Sequence, residues 1–204
     1  EYLEKYYPLR VQRYETRIDS GGAGYHRGGH GVAKTYEFLA DGLVSYQDDR
    51  AQTYPWGLQG GRHGAPSEKT LIRAAGGERI KLPSKVENVP VRRGDRLMFC
   101  TAGAGGLGDP LTREPERVAT DVRAGLVSVD AARSAYGVVV SKRGEIDAQA
   151  TEQARERARD GVDRRDEFDF GPVPDKAQLT RRIADERRDF DAWMAAESRG
   201  AAGA

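Results

Sequence analysis

Arg27 stands inside the run Asp19-Ser20-Gly21-Gly22-Ala23-Gly24-Tyr25-His26-Arg27-Gly28-Gly29-His30-Gly31-Val32. A guanidinium flanked by glycines can reach a carboxylate, a phosphate or backbone carbonyls as a fixed fork. So many glycines exclude a helix or a plain strand. The run reads as a shaped loop, where the backbone turns through positive φ or comes within touching distance of another group. Two roles compete for Arg27: pinning the loop by pairing with Asp19 or with a partner subunit, and touching substrate or an anionic intermediate. Pinning is favoured, since most ion pairs are structural. Asp19 and Ser20 join it as candidate substrate or interface residues. Asp48-Asp49-Arg50 offers a second cluster, with Asp49 and Arg50 as candidates, although adjacent acids in a strand face opposite ways and make no catalytic pair by spacing. Trp56, between Pro55 and Gly57, reads first as a core or interface plug and second as a stacking surface for substrate.

Other chemistries fail on context. His26 and His30 are four apart, with His63 and Cys100 as further ligands for zinc or manganese, but four residues share a face only in a helix and Arg27-Gly28-Gly29 prevents one. Gly103-Ala104-Gly105-Gly106-Leu107-Gly108 fits a dinucleotide-binding pattern, yet Asp109-Pro110 directs the chain into a turn where that fingerprint needs a helix to open. No glycine run continues into Lys-Ser or Lys-Thr, so a phosphate loop is absent. Cys100, in the apolar stretch Leu97 to Cys100, reads as a small buried residue without a histidine base.

The chain has 204 residues, 33 basic against 32 acidic, and a net charge of +1. No basic block or aromatic ladder marks a nucleic-acid partner. A single cysteine suits a reducing cytoplasm, and no apolar run approaches the ~20 residues of a membrane span. The expected location is therefore cytoplasmic.

Glycines, turns and β-branched residues crowd the first part, whereas alanine, arginine and aspartate dominate the rest. That predicts an α+β fold: a glycine-rich, mostly antiparallel β domain followed by a helical C-terminal region. Three stretches are expected: 1–110 β-rich with glycine loops, 111–145 a helical continuation of the same domain, and 146–204 a charged helical extension that docks on a partner. Strands are predicted over Leu9 to Ile18, Val32 to Leu39, Leu43 to Gln47, Lys69 to Ala74, Glu78 to Lys81 and Arg96 to Thr101. Ala40-Asp41-Gly42 and Ala75-Gly76-Gly77 serve as hairpin connections between antiparallel neighbours. Helices are predicted from Glu114, with Pro115 in the first turn and Gly125 as the stop, and from Ser128 as N-cap. Gly137 to Val140 reads as a strand returning to the sheet. Helices near Asp147 to Asp160 and Lys176 to Glu197 follow, and Gly200 to Ala204 is expected to fray. The last helix carries a stripe of Leu179, Ile183, Phe190, Trp193 and Met194 fit for docking onto another surface.

The string DSGGAGYHRGGHGV resembles the glycine-rich signature of the hydantoinase B / oxoprolinase family, and further matches follow in order. They are Tyr54-Pro55-Trp56-Gly57-Leu58-Gln59-Gly60-Gly61 with Gly64-Ala65-Pro66, then Leu82-Pro83-Ser84-Lys85, Arg93-Gly94-Asp95, Gly103 to Leu111, and Gly125-Leu126-Val127-Ser128 running on to Tyr136-Gly137-Val138. A fainter echo lies at Phe168-Asp169-Phe170-Gly171-Pro172. The resemblance spans about residues 7 to 140 and falls in what resembles the C-terminal third of a longer family member. The longer front part, of the type NDPY followed by GGTHLPD and associated with metal binding and the reacting centre, has no counterpart here. The chain is thus expected to be a fragment, or a separately encoded piece completed by a partner.

The resemblance implies a component of an ATP-dependent amidohydrolase acting on a cyclic amide such as a hydantoin or 5-oxoproline. Its implied partners are a hydantoinase A type subunit that binds ATP and the N-terminal part of the B-type polypeptide. ATP and a divalent metal are implied for the complex, with none bound by this chain. The related acetone or acetophenone carboxylases offer an alternative, and a third reading is a non-catalytic scaffold subunit. The isolated chain is expected to be inactive and partly unstable.

Overall fold

The computed structural model describes residues 2–160, 167–172 and 175–202. A short helix, α1 (Tyr2–Tyr6), leads into β1 (Leu9–Thr16), β2 (Val32–Phe38), β3 (Gly42–Gln47), β4 (Gly57–Leu58), β5 (Glu68–Ile72), β6 (Arg79–Lys81), β7 (Lys85–Val91) and β8 (Arg96–Cys100). Then come α2 (Pro115–Arg123), α3 (Val129–Tyr136), α4 (Ala148–Asp160), β9 (Phe168–Asp169) and α5 (Lys176–Ala202). Sheet and helices segregate along the chain, as the α+β reading expects.

Five strands form an antiparallel sheet in the order β1-β2-β8-β5-β6. The Ala75-Gly76-Gly77 connection between β5 and β6 behaves as a hairpin turn, with Gly76 at φ 75° and Gly77 at φ 68°. The Ala40-Asp41-Gly42 connection does not: β2 pairs with β1 and β8, whereas β3 pairs with β7 in a separate two-stranded sheet. β7 itself escapes the sequence reading because Asn88 and Pro90 resemble turn residues. Asn88 sits at φ 55°, in the left-handed region asparagine tolerates, and makes a bulge opposite Ser45, whose hydroxyl accepts its N–H at 2.9 Å.

Two buried cores result. One joins Phe38, Leu71, Ile80, Leu82 and Leu97 of the main sheet and its turns to Val86, Val89 and Val91 of β7, with Val44 and Tyr46 of β3 against it. Phe190 of α5 is part of this core, and Trp193 and Met194 pack on it. The stripe on α5 therefore meets the chain's own β core through its C-terminal half, while Ile183 stays 48% exposed. Glu197 of α5 pairs with Arg73 and Arg92, and Glu186 with Lys81. The helix runs through Ala202, and residues 203–204 of the end expected to fray lie outside the described ones.

The second core gathers Val118, Ala119 and Val122 of α2 with Val127, Ala132, Tyr136, Val138 and Val140, and takes in Ala23 from the glycine loop. Pro115 opens α2 and Gly125 at φ 68° follows its end. Ser128 caps α3, accepting the Ala131 N–H at 3.0 Å, and Gly137 ends it in the left-handed conformation. Gly137 to Val140 does not return to the sheet. Val140 makes only an isolated bridge with Ile146, because Val138 and Val140 are buried against the helices.

Candidate functional site

Three glycine-bearing segments interlock: the loop of residues 19–31, the stretch 56–65, and 102–108 after β8. Their backbones bond directly to one another. Gly22 donates to Ala104 O (2.8 Å), Ala104 to Gly29 O (2.8 Å), Arg62 to Ala23 O (2.6 Å), Gly106 to Arg62 O (2.9 Å), Ala65 to Ser20 O (2.8 Å) and Gly103 to Ala65 O (3.0 Å). His26 and Leu107 exchange both of their bonds at 2.9 Å. Most of these glycines do not have positive φ. What they supply is room: a Cβ at Gly103 would overlap the Ser20 carbonyl, one at Gly105 the Trp56 carbonyl, and one at Gly64 would stand 2.6 Å from Ala104 O. Of the two reasons for glycine that the sequence leaves open, close approach is the operative one.

The polar residues of the first loop fasten this junction to the helices. Arg27 donates to Asp121 of α2 through Nε (3.1 Å) and Nη2 (3.3 Å), and to its neighbour's carbonyl, Gly28 O, at 2.7 Å. Asp121 also receives Arg113 at 3.0 Å, and Arg113 in turn donates to Tyr25 O at 2.7 Å. Arg27 thus pins the loop, but not through Asp19. Asp19, itself at φ 57°, accepts the backbone N–H of Ser128 at 2.8 Å and holds the start of α3. Ser20 is buried; its hydroxyl donates to Arg17 O at 2.5 Å and accepts the Gly31 N–H at 2.9 Å, closing the neck of the loop. Its proton is already engaged, which disfavours it as a nucleophile. Burial first, and Arg27 second, pull the His30 pKa below 6.5, so the imidazole is neutral at pH 7.

Asp49, Arg50 and Trp56 lie elsewhere. Asp49 points to solvent and pairs with exposed Lys85 at 3.1 Å. Arg50 lies over the Trp56 ring, 5.3 Å from its centre, and Trp56 is tilted against Phe170 at 6.2 Å. At 46% exposure Trp56 is a surface residue, which removes the core half of the core-or-interface reading.

Asp121 and Arg113 escape the sequence reading. A signal for Asp121 exists: it shares the buried face of α2 with Val118 and Val122, where a carboxylate needs a partner. Asp48 turns inward beside Asp49. It takes a hydrogen bond from Ser67 and pairs with buried Lys69, which lies 4.7 Å from the centre of the Phe99 ring. Desolvation pulls the Lys69 ammonium down to about 8, with the charge of nearby Cys100 working the other way.

The N–H groups of Gly22, Gly28, Gly64, Gly103, Gly106 and Gly108 donate to neighbouring carbonyls, and Gly103 to Gly108 lead into a three-residue 3₁₀ turn capped by Asp109 rather than into a long helix. His26 packs edge-on to Tyr25 and His63 edge-on to Tyr54, while Cys100 is buried in β8. Among the described residues no three His, Cys, Asp or Glu side chains are grouped to hold a metal ion. No described helix is long and apolar enough to cross a membrane.

The pattern of residues 1–110 matches the family Hydantoinase B/oxoprolinase. The chain is 36% identical over 155 residues to the B-type component of a putative D-/L-hydantoinase of Pseudomonas sp. (strain NS671), covering 76% of this chain and 26% of that protein. It is 35% identical over 161 residues to the beta component of the caprolactamase of Pseudomonas jessenii, covering 76% and 27%. The crystal structure of the ATP-dependent caprolactamase from that organism superposes with a TM-score of 0.64 at 32% identity, over 76% of this chain and 27% of that one. A nucleotide-free acetone carboxylase shares the fold, with a TM-score of 0.60 at 21% identity over 75% of this chain and 25% of that one. The chain thus spans about a quarter of the length of these relatives. With its signature glycines forming the interlocked junction described above, this chain belongs to the hydantoinase B/oxoprolinase family.

Proposed function

We propose that the chain is the C-terminal piece of the B-type component of a cytoplasmic, ATP-dependent amidohydrolase that opens a cyclic amide. The hydantoinase, caprolactamase and 5-oxoprolinase relatives all carry names of cyclic-amide chemistry. In this reading ATP is bound by an A-type subunit, and the N-terminal part of the B-type polypeptide completes the site. A lactam carbonyl is a poor electrophile, so phosphorylation of an oxygen by the ATP-binding subunit makes it reactive before the B side completes the conversion.

The observation that carries the reading is the interlocked glycine junction, fixed by Arg27 to α2 and by Asp19 to α3. Such a junction positions neighbouring groups rigidly, and a misplacement of about an ångström at a reacting centre costs ~100-fold in rate. The test is ATP consumption by the reconstituted complex. Turnover that requires hydantoin, 5-oxoproline or caprolactam supports the proposal. Turnover that requires bicarbonate and a ketone replaces it with carboxylation, and full turnover after deletion of this chain leaves it a scaffold.

A further inference from the structure

Beside the junction, five large apolar side chains lie on the surface: Trp56, Leu58, Leu107, Phe168 and Phe170, between 37% and 52% exposed. They are continuous. Leu58 pairs with Phe168 across β4 and β9 and bridges to Leu107, while the Phe168 ring stacks on Phe170 at 5.7 Å and Phe170 leans on Trp56. The patch is also rigid, since Gln59 N–H donates to Glu167 O at 2.7 Å and Asp169 accepts the N–H groups of His63 (3.1 Å) and Gly171 (2.8 Å). Arg50 over Trp56 gives it a polar rim. Aromatic residues with an arginine at the margin are the composition of an interface centre, and soluble monomers rarely leave so continuous an apolar patch uncovered.

We propose that this patch seats the part of a hydantoinase B polypeptide that the present chain does not span, whether carried on the same chain or on a separate one. Two observations select that occupant over a second copy or an A-type subunit. The first is size: the matched region is 26% and 27% of two relatives, so about three quarters of such a polypeptide has no counterpart here and offers by far the largest surface to cover the patch. The second is place: Trp56, Leu58 and Leu107 lie inside the region that matches the family, between the glycines of the junction, and not in the charged C-terminal helices. The inference rests on the family-based function proposed for the chain and adds the surface through which assembly occurs.

The experiment uses the assembled enzyme, with a benzophenone amino acid in place of Phe170. After irradiation, mass spectrometry is expected to find cross-links to B-type sequence outside the region matched by this chain. Cross-links to a second copy or to the A-type subunit, or no cross-links, overturn the proposal. In parallel, Phe168→Asp with Phe170→Asp is expected to weaken retention of that B-type polypeptide at least tenfold, with unchanged circular dichroism. Tyr14→Asp on β1 serves as the control and is expected to leave retention unaltered. Equal retention by all three proteins also overturns it. An assembly that opens a cyclic amide with ATP but cross-links elsewhere defeats only the surface assignment. An assembly with no B-type sequence beyond this quarter defeats the functional reading as well.

Discussion

Asp121 is the residue on which the junction turns, because two guanidiniums and no other cation meet it in the described contacts. Removing an arginine leaves the carboxylate one partner, whereas removing the carboxylate leaves two partly buried cations facing each other. Asp121→Ala is therefore expected to cost about 3–5 kcal/mol and Arg27→Met roughly 2 kcal/mol, read from urea unfolding midpoints. The glycines make a sharper contrast. Gly103→Ala would drive a methyl into the Ser20 carbonyl and is expected to abolish soluble folded protein. Gly29→Ala meets only the Ala104 methyl at 4.0 Å and is expected to stay within ~0.5 kcal/mol of the parent. Asp95 supplies the pH dependence. Its burial would raise the pKa, but the N–H groups of Ala74 (2.9 Å) and Arg92 (3.0 Å) and the Arg73 guanidinium together hold it below 3.8. The unfolded chain then binds the proton first as pH falls. The stabilisation is complete above about pH 4 and disappears as pH drops through the folded pKa, so Asp95→Asn should lower stability at pH 7 and flatten this part of the acid profile.

Among the elements, α3 and α5 depend on different things. α3 is short and capped at both ends, so Ser128→Ala is expected to cost ~1 kcal/mol in thermal unfolding. α5 is long and highly charged, and what holds it is the insertion of Phe190 beside Leu82 and Val86, with ion pairs from Glu186 and Glu197 at either side. Phe190→Ala is expected to cost about 3–5 kcal/mol and to raise amide exchange along α5 before the β core opens. Docking of the apolar stripe was legible from its spacing. Its occupant was not, because helical periodicity shows that a face must be covered without naming the covering surface.

For the molecule as a whole, the glycine junction is tied to the helical core, into which Ala23 carries the loop, while the β core closes separately around β7 and Phe190. A piece built this way leaves the aromatic patch beside Trp56 open for assembly. The chain alone is accordingly expected to show no ATP-dependent ring opening in a coupled assay. Activity is expected only when the A-type subunit and the remaining B-type sequence are added, and a fully active monomer would contradict that division of labour.

Local chemistry in the sequence settled much of this protein: the hairpin at Gly76-Gly77, the cap at Ser128, the stop at Gly125 and the ordered motifs that carry the family. Each depends on neighbours in the chain, so each is readable from spacing. The partners of Arg27 and Asp19, the separation of β2 from β3 into two sheets, and the bulged strand through Asn88 and Pro90 were decided only in three dimensions. They rest on contacts between residues as far apart as 27 and 121, and no local pattern specifies which distant carboxylate or carbonyl will arrive. The glycines show the boundary most plainly. Their abundance announces a crowded backbone, but only the folded chain reveals that the crowding comes from two other glycine-rich segments pressed against the first.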